Sequence, residues 1–388
     1  MSNRPAEEDP VRDNRPACIL ILSASMGAGH DGAARVLAER LRARGHEAHV
    51  RDFLDAGPLR VGPALRLGYE VELKHAPEAY DSTYRLWYRA PWLCPAVASL
   101  VEALGGRRVA RWVADAGADA VVSTYPLSTL CIGRMRERGR LRLPAVNFIT
   151  DFGVHPLWVH RGIDLNLAVH ETPARRAAES SGTRSLACGP AVSEAFSPER
   201  LPDRRGGRAE LGLDPEDRAV LVVAGSWGVG NLERTWRALS AVGRVVPVVV
   251  CGRDERLLAE VQALAGTSPT RSVVLGWTDR MPALMAACDV LVENAGGLTS
   301  LEAMRAGLPV VSFEPIAGHG RENTAAMDAA GVGHLANDSG ALADAVELLG
   351  SPGPARDGQI SRAWAMFRSD PVDAILEVAT APRARRVA

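Results

Sequence analysis

Residues 293–303 read Glu293-Asn294-Ala295-Gly296-Gly297-Leu298-Thr299-Ser300-Leu301-Glu302-Ala303. The run just before, Asp289-Val290-Leu291-Val292, is short, apolar and β-branched, and predicts a buried strand. Gly296-Gly297 predicts a tight turn, and Thr299 opens a helix. Backbone N–H groups and the positive end of a helix dipole then face the strand's exit, which is a seat for a phosphate or diphosphate. Glu302 lies one helical turn in, where its carboxylate can accept from a ribose diol. The same letters also spell a capping box, Thr299-x-x-Glu302. Two glycines in a strand-to-helix turn are ordinary as well. The neighbouring segments decide between these readings.

The chain has 388 residues, enough for two cores. Its 45 basic and 46 acidic side chains give no global field that would favour nucleic acid. Lys74 is the only lysine, so a Walker P-loop lysine is absent. Cys18, Cys94, Cys131, Cys188, Cys251 and Cys288 lack metal-site spacing and read as reduced, buried side chains of a cytoplasmic protein. Residues 1–16 are polar and Pro-rich, without the apolar core of a signal peptide, and read as a disordered arm. No apolar run approaches the length of a transmembrane helix, so any membrane contact is peripheral, on the inner face of the cell membrane.

Working outward, strands and helices alternate. Ala17 to Leu22 predicts a first strand, followed by the small-residue turn Ser25 to His30 and a helix ending near Arg44. Further strands are expected at Glu47 to Phe53, Ala120 to Ser123, Ala145 to Ile149 and Asp164 to Val169. A second series runs through Ala219 to Val223, Val245 to Val250, Ser272 to Leu275, Asp289 to Val292 and Pro309 to Phe313. This alternation predicts an α/β chain with two Rossmann-like, doubly wound parallel-sheet domains facing an interdomain cleft. The boundaries read as 17–195 for an acceptor-binding domain, 196–217 for a linker and 218–358 for a nucleotide-sugar-binding domain. Residues 359–388 read as a helix returning to the first domain, and a tail. A dinucleotide reading of the Gly27 turn, with Asp52 as ribose acid, is weak, because the pattern is not G-x-G-x-x-G.

Four passages together resemble a family. They are Met26-Gly27-Ala28-Gly29-His30; Thr150-Asp151-Phe152 with His155 and Trp158; Val250-Cys251-Gly252-Arg253 with Val274 to Thr278, Met281 and Pro282; and Asn294 to Glu302 followed by Gly307-Leu308-Pro309. In this order the chain resembles the GT-B glycosyltransferases related to monogalactosyldiacylglycerol synthases and bacterial processive diacylglycerol glucosyltransferases. It is more distantly similar to the lipid II N-acetylglucosaminyltransferase. The chain departs from that family at Ala28 and Asp31, in its second-domain loop Gly225 to Gly230, and at His319, where the lipid transferases often have Gln.

The resemblance implies an inverting, metal-independent transfer of a hexose or N-acetylhexosamine. The donor is a nucleoside diphosphate sugar, UDP by analogy, and the acceptor a hydroxyl of a lipid such as diacylglycerol. No cofactor is implied beyond the UDP-sugar co-substrate, and no D-x-D pair suggests a metal clamp. Gly296, Gly297, Leu298 and Thr299 would face the diphosphate and Glu302 the ribose. The main chain at Trp277 would meet the uracil edge, its ring serving the core. The loop carrying Gly225, Ser226 and Gly228 would close over the donor, and His319, Glu322 and Asn323 would meet its sugar. His30 is the first candidate for the catalytic base, with Asp151 the alternative. Gly27, Gly29, His155, Trp87 and Tyr88 fall on the acceptor side.

Residues 59–100 interleave Tyr80, Tyr84, Trp87, Tyr88 and Trp92 with Arg85 and Arg89, which suits a lipid interface or, equally, an internally packed helical insertion. Three other functions fit the same architecture: a transferase acting on a specialised metabolite, a UDP-sugar 2-epimerase, and a nucleotide-sugar-binding protein without turnover.

Overall fold

Short apolar runs build two sheets, each of six parallel strands. The structure, a computed structural model, describes residues 15–58, 61–223 and 228–381. The expected N-terminal arm therefore lies almost wholly outside the described residues, as do Gly225 and Ser226.

The first sheet contains β1 (Cys18–Ser23), β2 (Glu47–Asp52), β3 (Ala120–Ser123), β4 (Ala145–Ile149), β5 (Leu165–Ala168) and β6 (Ser185–Ala187), in the order β2-β1-β3-β4-β5-β6. Its helices are α1 (Ala28–Ala43), α2 (Val61–His75), α3 (Pro77–Arg89), α4 (Cys94–Ala116), α5 (Pro126–Glu137) and α6 (Glu171–Ser181). After α7 (Arg204–Glu210) come β7 (Arg218–Val223), β8 (Val245–Val250), β9 (Val273–Leu275), β10 (Val290–Glu293), β11 (Val310–Phe313) and β12 (His334–Ala336), ordered β12-β11-β10-β7-β8-β9. The second domain's helices are α8 (Leu232–Ser240), α9 (Glu255–Thr267), α10 (Met281–Ala287), α11 (Leu298–Ala306), α12 (His319–Ala329), α13 (Ser339–Gly350) and α14 (Pro354–Ala365); α15 (Pro371–Thr380) ends the described chain.

The strand order reverses between β1 and β3 in one sheet and between β7 and β10 in the other. Ligands of open α/β sheets bind where strand order reverses, beyond the carboxyl ends. The turns after β1 and β10 line one cavity, so the two reversal points face each other.

The segment expected as a linker carries structure of its own. Helix α7 packs on α10, and Arg204 donates to the carbonyls of Ala286 and Cys288 at 2.9 and 2.8 Å. Helix α14 runs through position 358 and stays on the second domain, where Gln359 accepts the Val310 N–H at 2.9 Å. The chain crosses back at α15, whose Val372 and Ile375 enter the first domain's core. Asp370 and Asp373 at its start pair with Arg44, which follows the last residue of α1.

Below the cleft the domains share apolar surface. Phe152, Val169 and Val192 of the first domain are buried in one cluster with Leu291, Leu301 and Met327 of the second. Each such side chain stabilises the contact by about 1.5–3 kcal/mol when fully buried. Higher up, α1 meets α11: a β-carbon on Gly32 would stand 2.4 Å from Leu298 Cδ2. Glycine at 32 is what lets the two helix starts approach.

Candidate active site

A cleft of about 790 Å³ separates the facing carboxyl edges. Gly27, Gly29, His30, Thr150, Asp151, His155 and Trp87 line it from the first domain; Trp277, Gly297, Leu298, Thr299, Glu302, His319 and Asn323 line it from the second. Most of the residues singled out in the sequence thus converge.

Helix α11 begins at Leu298, with Gly297 as N-cap and no side-chain cap. The capping-box reading of Thr299 and Glu302 therefore fails, and Glu302 faces the cleft instead. The phosphate seat also needs one correction. The buried Glu293 carboxylate accepts the N–H groups of Ala295 and Gly296 at 2.7 and 2.5 Å, and the Ser312 hydroxyl on its other oxygen. Gly296 has no free donor to offer. Its φ of 63° and its packing on Asn323 and Met327 make it the hinge of the turn. The N–H groups of Gly297, Leu298 and Thr299 precede the first intrahelical bonds and have no partner among the described residues. A β-carbon on Gly297 would meet nothing within 4 Å, so the cleft is open there. Glu293 is a residue the motif reading passed over; an acid ending an apolar strand was its only signal.

Burial pushes the Glu302 carboxyl up to about 8, against the opposing pull of Arg35. An acid in that state gains from a partner that donates hydrogen bonds, as a diol does.

Around the expected donor loop, Gly228 has a φ of 62° and lies against Leu257 and Asp254, and its neighbour Val229 lines the cleft. Asn294 Nδ2 donates to the Val229 carbonyl at 2.9 Å and ties this loop to the phosphate turn. Trp277 is not core, contrary to expectation. It is 56% exposed at the cleft, with the Arg253 guanidinium 5.0 Å over its ring.

On the acceptor side, His30 sits in the first turn of α1, with Nδ1 3.4 Å from the Thr150 hydroxyl and its ring between Tyr125 and Trp158. It caps nothing. Burial lowers its pKa to about 4, so the imidazole is neutral near pH 7. His155 has both ring nitrogens engaged: Nδ1 accepts the Leu157 N–H at 3.3 Å, and Nε2 lies 3.2 Å from the Tyr84 carbonyl. That arrangement holds a loop and leaves no nitrogen for proton transfer. Asp151 receives Trp158 Nε1–H at 3.2 Å and Asn323 Nδ2–H at 3.5 Å, and burial raises its pKa, while burial lowers that of His319 beside it and keeps the imidazole neutral.

Two further expectations resolve differently. Glu322 does not line the cleft; its carboxylate accepts the hydroxyls of Tyr84 and Tyr88 at 2.5 and 2.6 Å and pairs with Arg176 at 3.1 Å. Tyr88 is spent on that bond rather than on the cleft. Asp52 is no ribose acid: it accepts the N–H groups of Leu54 and Ser25.

Residues 30–188 match the sequence model described as monogalactosyldiacylglycerol (MGDG) synthase, and residues 218–351 match that described as glycosyl transferases group 1. A processive diacylglycerol beta-glucosyltransferase of Bacillus cereus (strain 03BB102) is 23% identical over 355 residues, covering 85% of each chain. Among solved structures, Acinetobacter baumannii MurG superposes with a TM-score of 0.56 at 16% identity, over 94% of this chain and 99% of that one. Anabaena Alr3699/HepE, solved with UDP and glucose, gives 0.55 at 16%, over the same shares. With two reversal points meeting at one cleft, the chain has the two-domain GT-B fold, its first domain carrying the segment that matches the MGDG synthase model and its second the segment that matches the group 1 glycosyl transferases.

Proposed function

We propose that this chain transfers a hexose or N-acetylhexosamine from UDP to a hydroxyl of a lipid acceptor such as diacylglycerol, with inversion and without a metal. One observation carries the reading: His30 and Glu302 line the same cleft from opposite domains, with the free N–H groups of Gly297, Leu298 and Thr299 on the Glu302 side.

Glu302 accepts the ribose diol. The α11 amides receive the diphosphate, whose negative charge grows as the glycosidic bond breaks; fixed dipoles aimed at that charge lower the barrier. His30, across the cleft, takes the acceptor's proton on Nε2 while Thr150 holds Nδ1. Attack from the face opposite the leaving group inverts the anomeric carbon. Arrival of the diphosphate also raises the basicity of His30, because negative charge favours the imidazolium. The lipid acceptor is supported by the name of the relative and by the apolar surface of α2 to α4, where Leu67 is 63% and Trp92 72% exposed. Among the described residues no helix is long and apolar enough to cross a membrane, so contact is by surface docking.

The test is a panel of UDP-sugars scored for UDP release with and without diacylglycerol vesicles, then mass spectrometry of the lipids. Acceptor-dependent release that survives EDTA is the expected result. UDP binding without release from any pair would leave a binding protein, and strict Mg²⁺ or Mn²⁺ dependence would remove the metal-free mechanism.

A further inference from the structure

Helix α3 places Tyr80, Tyr84 and Tyr88 at successive four-residue intervals, one face of a helix. That face lies on the start of α12 in the other domain. The Tyr80 hydroxyl is 3.0 Å from His319 Nδ1, and the Tyr69 hydroxyl is 3.4 Å from the same nitrogen and 3.5 Å from the Tyr80 hydroxyl. Next to Tyr80, Asp81 accepts the Gly318 N–H at 3.1 Å and pairs with Arg321 at 3.1 Å. Gly318 has a φ of 66°, and a β-carbon there would stand 2.5 Å from Tyr80 Cε1. The tyrosine therefore sits against bare backbone, and its approach to His319 is fixed by packing as well as by hydrogen bonding.

A neutral imidazole carries one proton on two nitrogens, and whatever bonds the first decides what the second offers. Burial keeps both phenols protonated, raising Tyr80 to about 12 and Tyr69 well above the usual range. A phenol donates a hydrogen bond better than it accepts one, since its lone pair is partly delocalised into the ring. The Tyr80 O–H is thus directed at the Nδ1 lone pair. Nε2 must then hold the proton. His319 lines the cleft, and among the described residues its ring hydrogen bonds are both at Nδ1.

We propose that Tyr80, backed by Tyr69, is a positioning residue for donor-sugar recognition: it fixes His319 in the Nε2–H tautomer, so that the imidazole offers an N–H to a hydroxyl of the donor hexose. The inference rests on the transferase reading and adds the chemistry of sugar selection to it. One net hydrogen bond changes binding by up to about tenfold. The Tyr80→Phe change should therefore weaken binding of a UDP-hexose by that order and leave UDP alone unchanged.

The experiment uses the full chain labelled with ¹⁵N-histidine. Long-range proton–nitrogen NMR reads the His319 tautomer in wild type, Y80F and Y69F/Y80F. Calorimetry measures UDP, UDP-glucose and UDP-galactose on the same proteins and in an H319Q background, where an amide supplies its donor without a tautomer. The expected results are a single Nε2–H tautomer in wild type, a mixture in Y80F, and a loss of UDP-hexose affinity in Y80F that disappears when His319 is Gln. A protonated Nδ1 in wild type overturns the proposal. Equal weakening of UDP and UDP-hexose in Y80F, or a loss of the same size in H319Q, would mark Tyr80 as interdomain packing only and also overturns it. No binding of UDP to wild type would instead remove the transferase reading, and sugar recognition with it.

Discussion

The Glu293 carboxylate accepts the Gly296 N–H at 2.5 Å, so the acid that ends β10 shapes the turn that presents the next three amides. A buried carboxylate with three donors cannot be removed without leaving them unpaired. Each orphaned buried donor costs about 1–3 kcal/mol, with some relief from water entering the cleft. E293A should lose about 2–4 kcal/mol of unfolding free energy in urea. It should also weaken UDP binding more than tenfold, because Gly297 to Thr299 lose their fixed aim. E293Q, which keeps an acceptor oxygen, should lose less of both. Unaltered UDP affinity in E293A would show that the turn holds its shape without this carboxylate.

Glu302 makes affinity depend on pH. Its folded pKa, raised by burial to about 8, exceeds the unfolded carboxyl value of roughly 4.3. Between those values the folded state binds the extra proton, so the folded-state advantage of this group is greatest at low pH and falls as pH rises through the window. A diol favours the carboxylate, so UDP binding near neutrality releases a proton. Affinity should rise from pH 6 to 8 and level off above. Calorimetry in buffers of different ionisation enthalpy should find proton release in wild type and none in E302Q, whose pH profile should be flat. A flat profile in wild type would refute the diol contact.

His30 separates binding from chemistry. Its pKa of about 4 leaves it neutral at neutral pH, and its ring contacts are with Tyr125 and Trp158 rather than with the phosphate seat. Loss of a general base costs about 10²–10⁴-fold. H30A should lower kcat by that factor and leave UDP affinity within about twofold. A tenfold loss of UDP affinity with kcat retained would reassign His30 to donor binding, and Asp151 would be the remaining base.

The sheets were legible because their central strands are unbroken apolar runs such as Ile19 to Leu22 and Val248 to Val250, fully buried on both faces. The edge strands β6 and β12 were not. Each has three residues, most only partly buried, and Ser185-Leu186-Ala187 carries no period that separates it from a loop. The phosphate turn could be read because Gly296-Gly297 follows a strand locally. Contacts across the chain could not. Tyr84 and Tyr88 stood out as aromatics near arginines, but their partner Glu322 is 238 and 234 positions away, and only the closed cleft joins them. Trp277 looked like core because tryptophan usually is; the nearby Arg253 that covers its ring gave no signal of exposure.

The insertion between β2 and β3 divides its aromatics between two tasks. Tyr80, Tyr84 and Tyr88 turn their hydroxyls to the second domain, whereas Trp92, Leu67 and Val71 are left exposed, as are Arg85 and Arg89 of α3. Leu67 and Val71 are four apart on α2, and Trp92 stands just before α4, so the exposed apolar surface belongs to several elements. Tryptophan suits the interfacial layer of a bilayer, and exposed arginines add attraction to anionic lipid that salt screens over about 10 Å at 0.1 M. The double change Leu67→Glu and Trp92→Glu should therefore abolish co-flotation with phosphatidylglycerol vesicles. Exposed sites shift stability by only about 0.5 kcal/mol, so folding and UDP affinity should stay near wild type. Turnover on vesicle-borne diacylglycerol should fall with flotation, while turnover on a short-chain, detergent-dispersed acceptor should survive. Wild-type protein that fails to float with anionic vesicles at low salt would remove the membrane from this surface.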